Sequence, residues 1–314
     1  MNTNTIRFAT LAALGAALIS GTNNFLTKVG VTVVSDPVYF TTLKNLFTVL
    51  LLIGAVVLMR KWKEVALLSR KEWLQLALIG VIGGAIPFAL FFTGLSMTSA
   101  LSGSLIHKTL VFWVLLFAYP FLKERLSPLA LFGIVAVFAA NVLLGGLKGF
   151  HVGQGELLIL AATVLWAVEN IIAKKTLVNI SALLVASARM VIGSVLLLGF
   201  LAFTGRLVSV AGLDGVQWGV TALSGALLFG YVLTWYTALK YAPATYVAAL
   251  LVPATLVTNI LSMVFVTHTV TGIQILSAVL TAIGVGLLLH FGKKTAVALD
   301  TTTLHASLPP RTQG

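Results

Sequence analysis

Apolar residues run in blocks of about 20 from one end of the chain to the other, parted by short polar stretches. A helix rises about 1.5 Å per residue, so about 20 residues cross a hydrocarbon core. Polar residues do not alternate with apolar ones inside the blocks, as the strands of a membrane β-barrel would require. The pattern predicts an all-α integral membrane protein with ten helices, at roughly 8–27, 38–59, 74–95, 101–121, 128–147, 156–174, 182–204, 216–238, 245–266 and 271–291. The longest charged connection, from Arg60-Lys61-Trp62-Lys63-Glu64 to Arg70-Lys71-Glu72-Trp73, reads as an amphipathic surface segment. Residues 295–314, with Thr301 to Thr303 and Pro309-Pro310, lack periodicity and are expected to form a disordered cytoplasmic tail.

Composition agrees with the blocks. Of 314 residues, 59% are hydrophobic and 9% charged. A soluble domain carries about a quarter charged residues, so the apolar excess must face lipid. The net charge of +12 would suggest nucleic acid in a soluble chain. Here the cations sit in short loops, where they orient the protein, and no nucleic acid is expected. With the N-terminus inside, fourteen Lys and Arg fall on the cytoplasmic side and three outside (Lys28, Lys148 and Arg206), so both termini are expected in the cytoplasm. The first 20 residues resemble a signal peptide, but the apolar run continues and has a later counterpart. There is no cysteine, which excludes disulfides and thiol chemistry. The expected location is the plasma (inner) membrane of a bacterium or archaeon.

The chain matches itself when slid by about 145 residues. Asn23 to Lys28 falls on Glu169 to Lys174, Lys44 on Arg189, and Phe92 to Leu95 on Tyr236 to Leu239. These identities fall on residue types that are rare inside membranes. The period holds five spans, an odd number, so the second half would enter the membrane from the opposite side. Two inverted five-helix halves, 1–147 and 148–294, are a recurrent plan for secondary transporters.

Asn-Phe near the end of the first span, a basic residue early in spans two and seven, and Leu122-Lys123-Glu124-Arg125-Leu126-Ser127 between spans four and five carry a resemblance. Together with ten spans in two halves, they resemble the drug/metabolite transporter superfamily, specifically its EamA-type members, over residues 8–291. Three departures stand out. Gly21-Thr22-Asn23-Asn24-Phe25 replaces the usual Trp-Gly-x-Asn-Phe, Lys44 stands where Arg is common, and His268 falls opposite Glu124 in the second half. The resemblance implies a carrier of amino acids, other metabolites or drugs.

Ionisable residues inside a span cost about 2.5–3.5 kcal/mol on insertion scales, so each marks a candidate site. Ser20, Asn23, Asn24 and Thr27 follow a helical spacing that places them on one stripe. Lys44, His107 and Lys108 lie in the outer third without an acid at their depth, and a bound anion would offset their burial. Glu169 and Arg189 lie in the inner third beside Asn170 and are expected to form an ion pair. That pair is either a static bridge or a proton-coupling switch in which Glu169, or His107, carries the proton. Tyr231, Trp235, Tyr236, Trp113 and Trp166 would stack on cargo or simply pack. Pro87 and Pro253 interrupt spans three and nine, and Gly80, Gly83 and Gly84 suggest close helix packing.

No phosphate loop, His-Glu-x-x-His or Gly-x-Ser-x-Gly motif occurs. The expectation is therefore a secondary transporter, not an enzyme, with no cofactor and no metal. It would move a small polar metabolite outward, an amino acid or another carboxylate-bearing compound, by alternating access. Its partners would be that substrate, membrane lipid, and a coupling proton or exchanged substrate. The proposed substrate contacts are Asn24, Lys44, His107, Lys108, Asn170, Arg189, Tyr231 and Trp235. A multidrug exporter of cationic compounds and a membrane-embedded enzyme are the competing readings.

Overall fold

The computed structural model describes residues 3–34, 36–98, 100–145, 153–205 and 213–292. Among these residues all regular structure is helical. The first half holds α1 (Thr3–Val33), α2 (Pro37–Leu58), α3 (Trp62–Ala66), α4 (Arg70–Ile79), a π-helical segment (Gly80–Ala85), α5 (Ile86–Met97), α6 (Ala100–Lys108), α7 (Leu110–Leu122) and α8 (Pro128–Gly145). The second holds α9 (Gln154–Thr176), α10 (Ala182–Phe203), α11 (Gly215–Tyr241), α12 (Ala244–Leu251), α13 (Ala254–Ser262) and α14 (Gly272–Leu287).

Nine stretches among the described residues are long and apolar enough to cross a membrane, and Pro128–Leu144 is apolar but shorter. The short one is α8, the predicted fifth span, and the residues that follow it lie outside the described ones. The proposed tail, 295–314, and Lys148, Arg206, Lys293, Lys294 and Arg311 also lie outside them. Leu11, Leu50, Phe121, Phe132, Phe203 and Phe265 each present more than half of their surface outward. Such a coat suits lipid and would be an aggregation hazard in water.

Local signals start and stop the helices. Asp36 Oδ1 accepts the Val38 and Tyr39 amides at 2.8 and 3.1 Å, and Pro37 follows at a position that needs no donor. Ser181 caps α10, and capping boxes start α4 (Ser69 with Glu72) and α11 (Asp214 with Gln217). Lys123 and His268 each adopt a left-handed backbone, φ 57° and 52°, at the end of a span. Asp36 and Ser181, Ser69 and Asp214, and Lys123 and His268 are all 145 residues apart. The sequence set His268 against Glu124, but the backbone sets it against Lys123.

Packing repeats the same correspondence. α1 packs on α11 and α13, as α9 packs on α5 and α7. α2 packs on α11 as α10 packs on the Gly80–Ala85 segment, and the remaining large contacts join α2 to α10 and α8 to α14. Exchanging the halves leaves this set of pairs unchanged. Gly80 lies against the Ile192 side chain and Gly225 against Phe47, again at equivalent positions. The larger apolar cluster joins Ala9, Ala13 and Ala16 of α1 to Leu52, Ile79, Val114, Leu184, Tyr246 and Leu250. It fills the end of the bundle at which α1 begins. A smaller cluster, with Val34, Phe40, Leu43 and Leu201, lies at the other end.

Among the described residues three spans are broken within their length, and π-helical segments also end the ninth and tenth (Met263–Thr267 and Leu288–Gly292). At Thr109 the backbone tightens: its amide bonds to Ile106 O at 3.0 Å, and Phe112 N bonds to Thr109 O at 2.9 Å. At the matching place in the second half Val252 N bonds to Ala249 O at 3.3 Å, and Leu256 N to Pro253 O at 2.9 Å. The proline explains the second break, whereas Thr109 breaks its span without one. The third interruption is the π-helical segment ahead of Pro87. Proline has no N–H, so residue 87 donates neither to Gly83 O, its partner in an α-helical register, nor to Ile82 O, its partner in the π register of the segment before it.

Candidate functional site

The Gly83 carbonyl is where the buried polar side chains meet. Trp166 Nε1 donates to it at 3.0 Å from α9, and Arg189 Nη2 donates at 3.1 Å from α10. Both donors are buried, so water does not replace them. Glu169, one turn beyond Trp166 on α9, is 2% exposed, and its Oε1 accepts the Tyr236 hydroxyl at 2.6 Å. The residue at position 83 must be small. A Cβ there would collide with Glu169 Cγ and come within 3.2 Å of Arg189 Nε. Gly84 brings the backbones of the third span and α10 together, with Gly193 Cα 3.0 Å from where its Cβ would be.

The expected Glu169–Arg189 ion pair is not formed. The two side chains lie side by side over Gly83, but Arg189 is turned to the carbonyl and Glu169 to Tyr236. Arg189 Nε remains buried without a partner. Asn170 continues the cluster: its Nδ2 donates to Trp166 O at 3.0 Å and its Oδ1 accepts Trp235 Nε1 at 3.2 Å. The Tyr231 ring lies 6.2 Å from that of Trp235.

His107 belongs to this cluster and not to a separate outer layer. Its ring stands edge-on to Trp166 at 4.9 Å and to Phe91 at 5.5 Å, and its Nδ1 is buried without a partner. Lys108 is half-buried at the C-terminal end of α6, where a cation suits the helix dipole. Trp113 is engaged locally, donating to Thr109 Oγ1 at 3.1 Å.

Lys44 stands apart from that cluster. Its Nζ donates to Thr27 Oγ1 at 3.2 Å and lies 5.7 Å from the centre of the Phe40 ring. The polar stripe of α1 divides: Asn23 is buried with an unpaired Oδ1, whereas Asn24 lies on the accessible face. Thr27 meets Lys44 and Asn23 is buried, while Asn24 is turned about 100° from Asn23.

Sequence reasoning missed the Gly83 carbonyl, which has no side chain to signal it. Pro87, four residues later, was the signal. It also left Glu124 without a role. That carboxylate is buried at the start of α12, taking the Ala244 and Thr245 amides at 2.8 and 2.9 Å and the Thr245 hydroxyl at 2.8 Å. Among the described residues no three His, Asp or Glu side chains converge on a metal position.

A model of the EamA-like transporter family matches residues 7–146 and again residues 153–290. The chain is 27% identical over 224 residues to the Uncharacterized transporter YyaM of Bacillus subtilis, covering 69% of this chain and 73% of that one. It is 29% identical over 121 residues to an uncharacterized transporter of Methanothermobacter thermautotrophicus, covering 37% and 35%. One protein crystal structure superposes with a TM-score of 0.76 at 19% identity, covering 93% of this chain and 98% of the other, a likeness of fold. The apolar spans and the repeated family match make this a multi-pass integral membrane protein of the drug/metabolite transporter superfamily, and the chain belongs to the EamA-like transporter family.

Proposed function

We propose that the protein is a secondary active transporter whose two inverted halves, 1–147 and 148–294, rock about the cluster over Gly83. The observation that carries this reading is the origin of the cluster. Gly83 and His107 come from the first half, while Trp166, Glu169, Asn170, Arg189, Trp235 and Tyr236 come from the second. A movement of one half against the other must change these contacts. The matched breaks at Thr109 and Pro253 support the same reading, because interrupted helices at equivalent places commonly border a carrier's binding site.

The cargo in this reading is a small polar metabolite with a carboxylate, such as an amino acid, moved outward by alternating access. Lys44, Lys108 and Arg189 outnumber Glu169, so an anionic group would balance the interior charge. Glu169 would take the coupling proton or a substrate ammonium. With the N-terminus in the cytoplasm, the larger apolar cluster closes the cytoplasmic side. The aromatic group of Phe88, Phe91, Phe92 and Trp166 favours a second reading, export of flat cationic drugs.

The test compares metabolite efflux and uptake in cells with and without the protein, then in cells carrying Lys44→Ala. Protein-dependent movement of a carboxylate-bearing metabolite, weakened by the substitution, is expected. Unchanged transport in the variant would remove Lys44 from the site. Movement of cationic drugs alone would favour the second reading.

A further inference from the structure

Inside a membrane a backbone carbonyl with no helical donor must find another partner. Gly83 O finds two, Trp166 Nε1 and Arg189 Nη2, at 3.0 and 3.1 Å. A carbonyl oxygen has two lone pairs, so both are used. A second acceptor, the Glu169 carboxylate, lies beside the guanidinium: Glu169 Cγ and Cδ and Arg189 Nε all lie within 3.2 Å of where a Cβ on Gly83 would be. Arg189 Nε, buried and unpartnered beside them, is the group that would turn to the acid.

We propose that Pro87 and Gly83 form a backbone seat for Arg189 that holds the guanidinium off Glu169 and keeps the acid out of an ion pair, with Tyr236 as its partner. The consequence for flux rests on the transporter reading, while the seat itself does not. Pro87 contributes by leaving no N–H at residue 87 to compete for Gly83 O, at the point where the π-helical register gives way to α5. Gly83 supplies room, since a methyl group there would collide with Glu169. The equivalent of Pro87 in the second half is Val232, which keeps its N–H. There the equivalent cation, Lys44, turns to the Thr27 hydroxyl instead. The seat therefore exists in one half only, the half facing the acid. Pro87, Gly83 and Trp166 are positioning residues, acting through where they leave Arg189.

The test is a set of double-mutant cycles on the full chain purified in detergent. Unfolding midpoints are measured for Glu169→Gln, Arg189→Gln and both together. The cycle is run in the natural chain, in a chain carrying Pro87→Ala and in one carrying Trp166→Phe. Pro87→Ala returns an N–H that competes for Gly83 O, so Arg189 should turn to Glu169 and the two midpoint shifts should depart further from additivity. Trp166→Phe removes the other donor, settles Arg189 more firmly on the carbonyl, and should bring the shifts closer to additivity. If Pro87→Ala does not fold, the Trp166→Phe cycle decides alone. Equal non-additivity in every chain that folds overturns the seat. The same chains are reconstituted into vesicles with an imposed pH gradient. Pro87→Ala should lose gradient-driven flux while its midpoint is kept or raised. If the natural chain drives no flux, the transporter reading fails and the cycles still judge the seat.

Discussion

Replacing Glu124 with alanine should destabilise the bundle more than any single change on its surface. Glu124 stands in the connection between α7 and α8, yet its carboxylate caps α12 in the other half. It takes two amides and one hydroxyl at 2.8 to 2.9 Å. Ala244 and Thr245 are each 1% exposed, so water cannot reach the stranded amides. A buried donor left without an acceptor costs about 1–3 kcal/mol, and losing a charge at a partly buried helix N-terminus costs up to about 2 kcal/mol more. With two amides stranded and the charge lost, Glu124→Ala should therefore cost at least about 2 kcal/mol and up to about 5. Glu124→Gln keeps one acceptor and should fall in between. Thr245→Val removes one of the three bonds and strands nothing on the backbone, so it should cost about 1 kcal/mol. The assay is reversible unfolding in mixed micelles followed by tryptophan fluorescence. A Glu124→Ala loss below about 1 kcal/mol, or no larger than that of Thr245→Val, would refute the reasoning.

Further outcomes follow from the same contacts. Gly84→Ala should cost about 1–3 kcal/mol, because its methyl group would press on the Arg189 carbonyl and Gly193. Gly199→Ala meets nothing within 4 Å and should be neutral or stabilising by up to about 1 kcal/mol in the same unfolding assay. Lys123→Gly should raise stability by about 1 kcal/mol, because the position has φ 57° and a left-handed backbone strains a side chain. Glu64 lies in the surface segment, outside the spans. Burial raises its pKa, but hydrogen bonds from Lys61 and Ser181 outweigh that and leave it below the ordinary value. A lowered carboxylate pKa gives stability that is present above the unfolded value and lost as pH falls through the folded one. Unfolding midpoints measured from neutral pH downward should therefore fall less steeply for Glu64→Gln than for the natural chain.

Nine of the predicted spans were legible because each is a long, predominantly apolar run, and the repeat because Lys44 and Arg189 stand out against such runs. The start of α11, set at 216 from the apolar run alone, falls within one residue of where Asp214 and Gln217 cap the helix. The arrangement over Gly83 was not legible. Whether Arg189 pairs with Glu169 depends on a backbone carbonyl from the third span and a hydroxyl from α11, neither visible in the spacing of the acid and the base. The choice between Asn23 and Asn24 was lost for a simpler reason. Adjacent helical residues point about 100° apart, and the predicted stripe was wide enough to hold both. His107 was set in an outer layer by its depth alone, but the aromatic contacts with Trp166 and Phe91 tie it to the deeper cluster.

The central claim is that the cluster over Gly83 carries a coupled cargo across the membrane. Its most direct test is flux into and out of vesicles holding only the purified protein, using the metabolite identified in the cell comparison. The account predicts accumulation driven by an imposed pH gradient in the natural chain, and in Glu169→Ala at most equilibration that no longer follows the gradient. Gradient-driven accumulation that is unchanged in Glu169→Ala, or no protein-dependent flux of any metabolite, would contradict it.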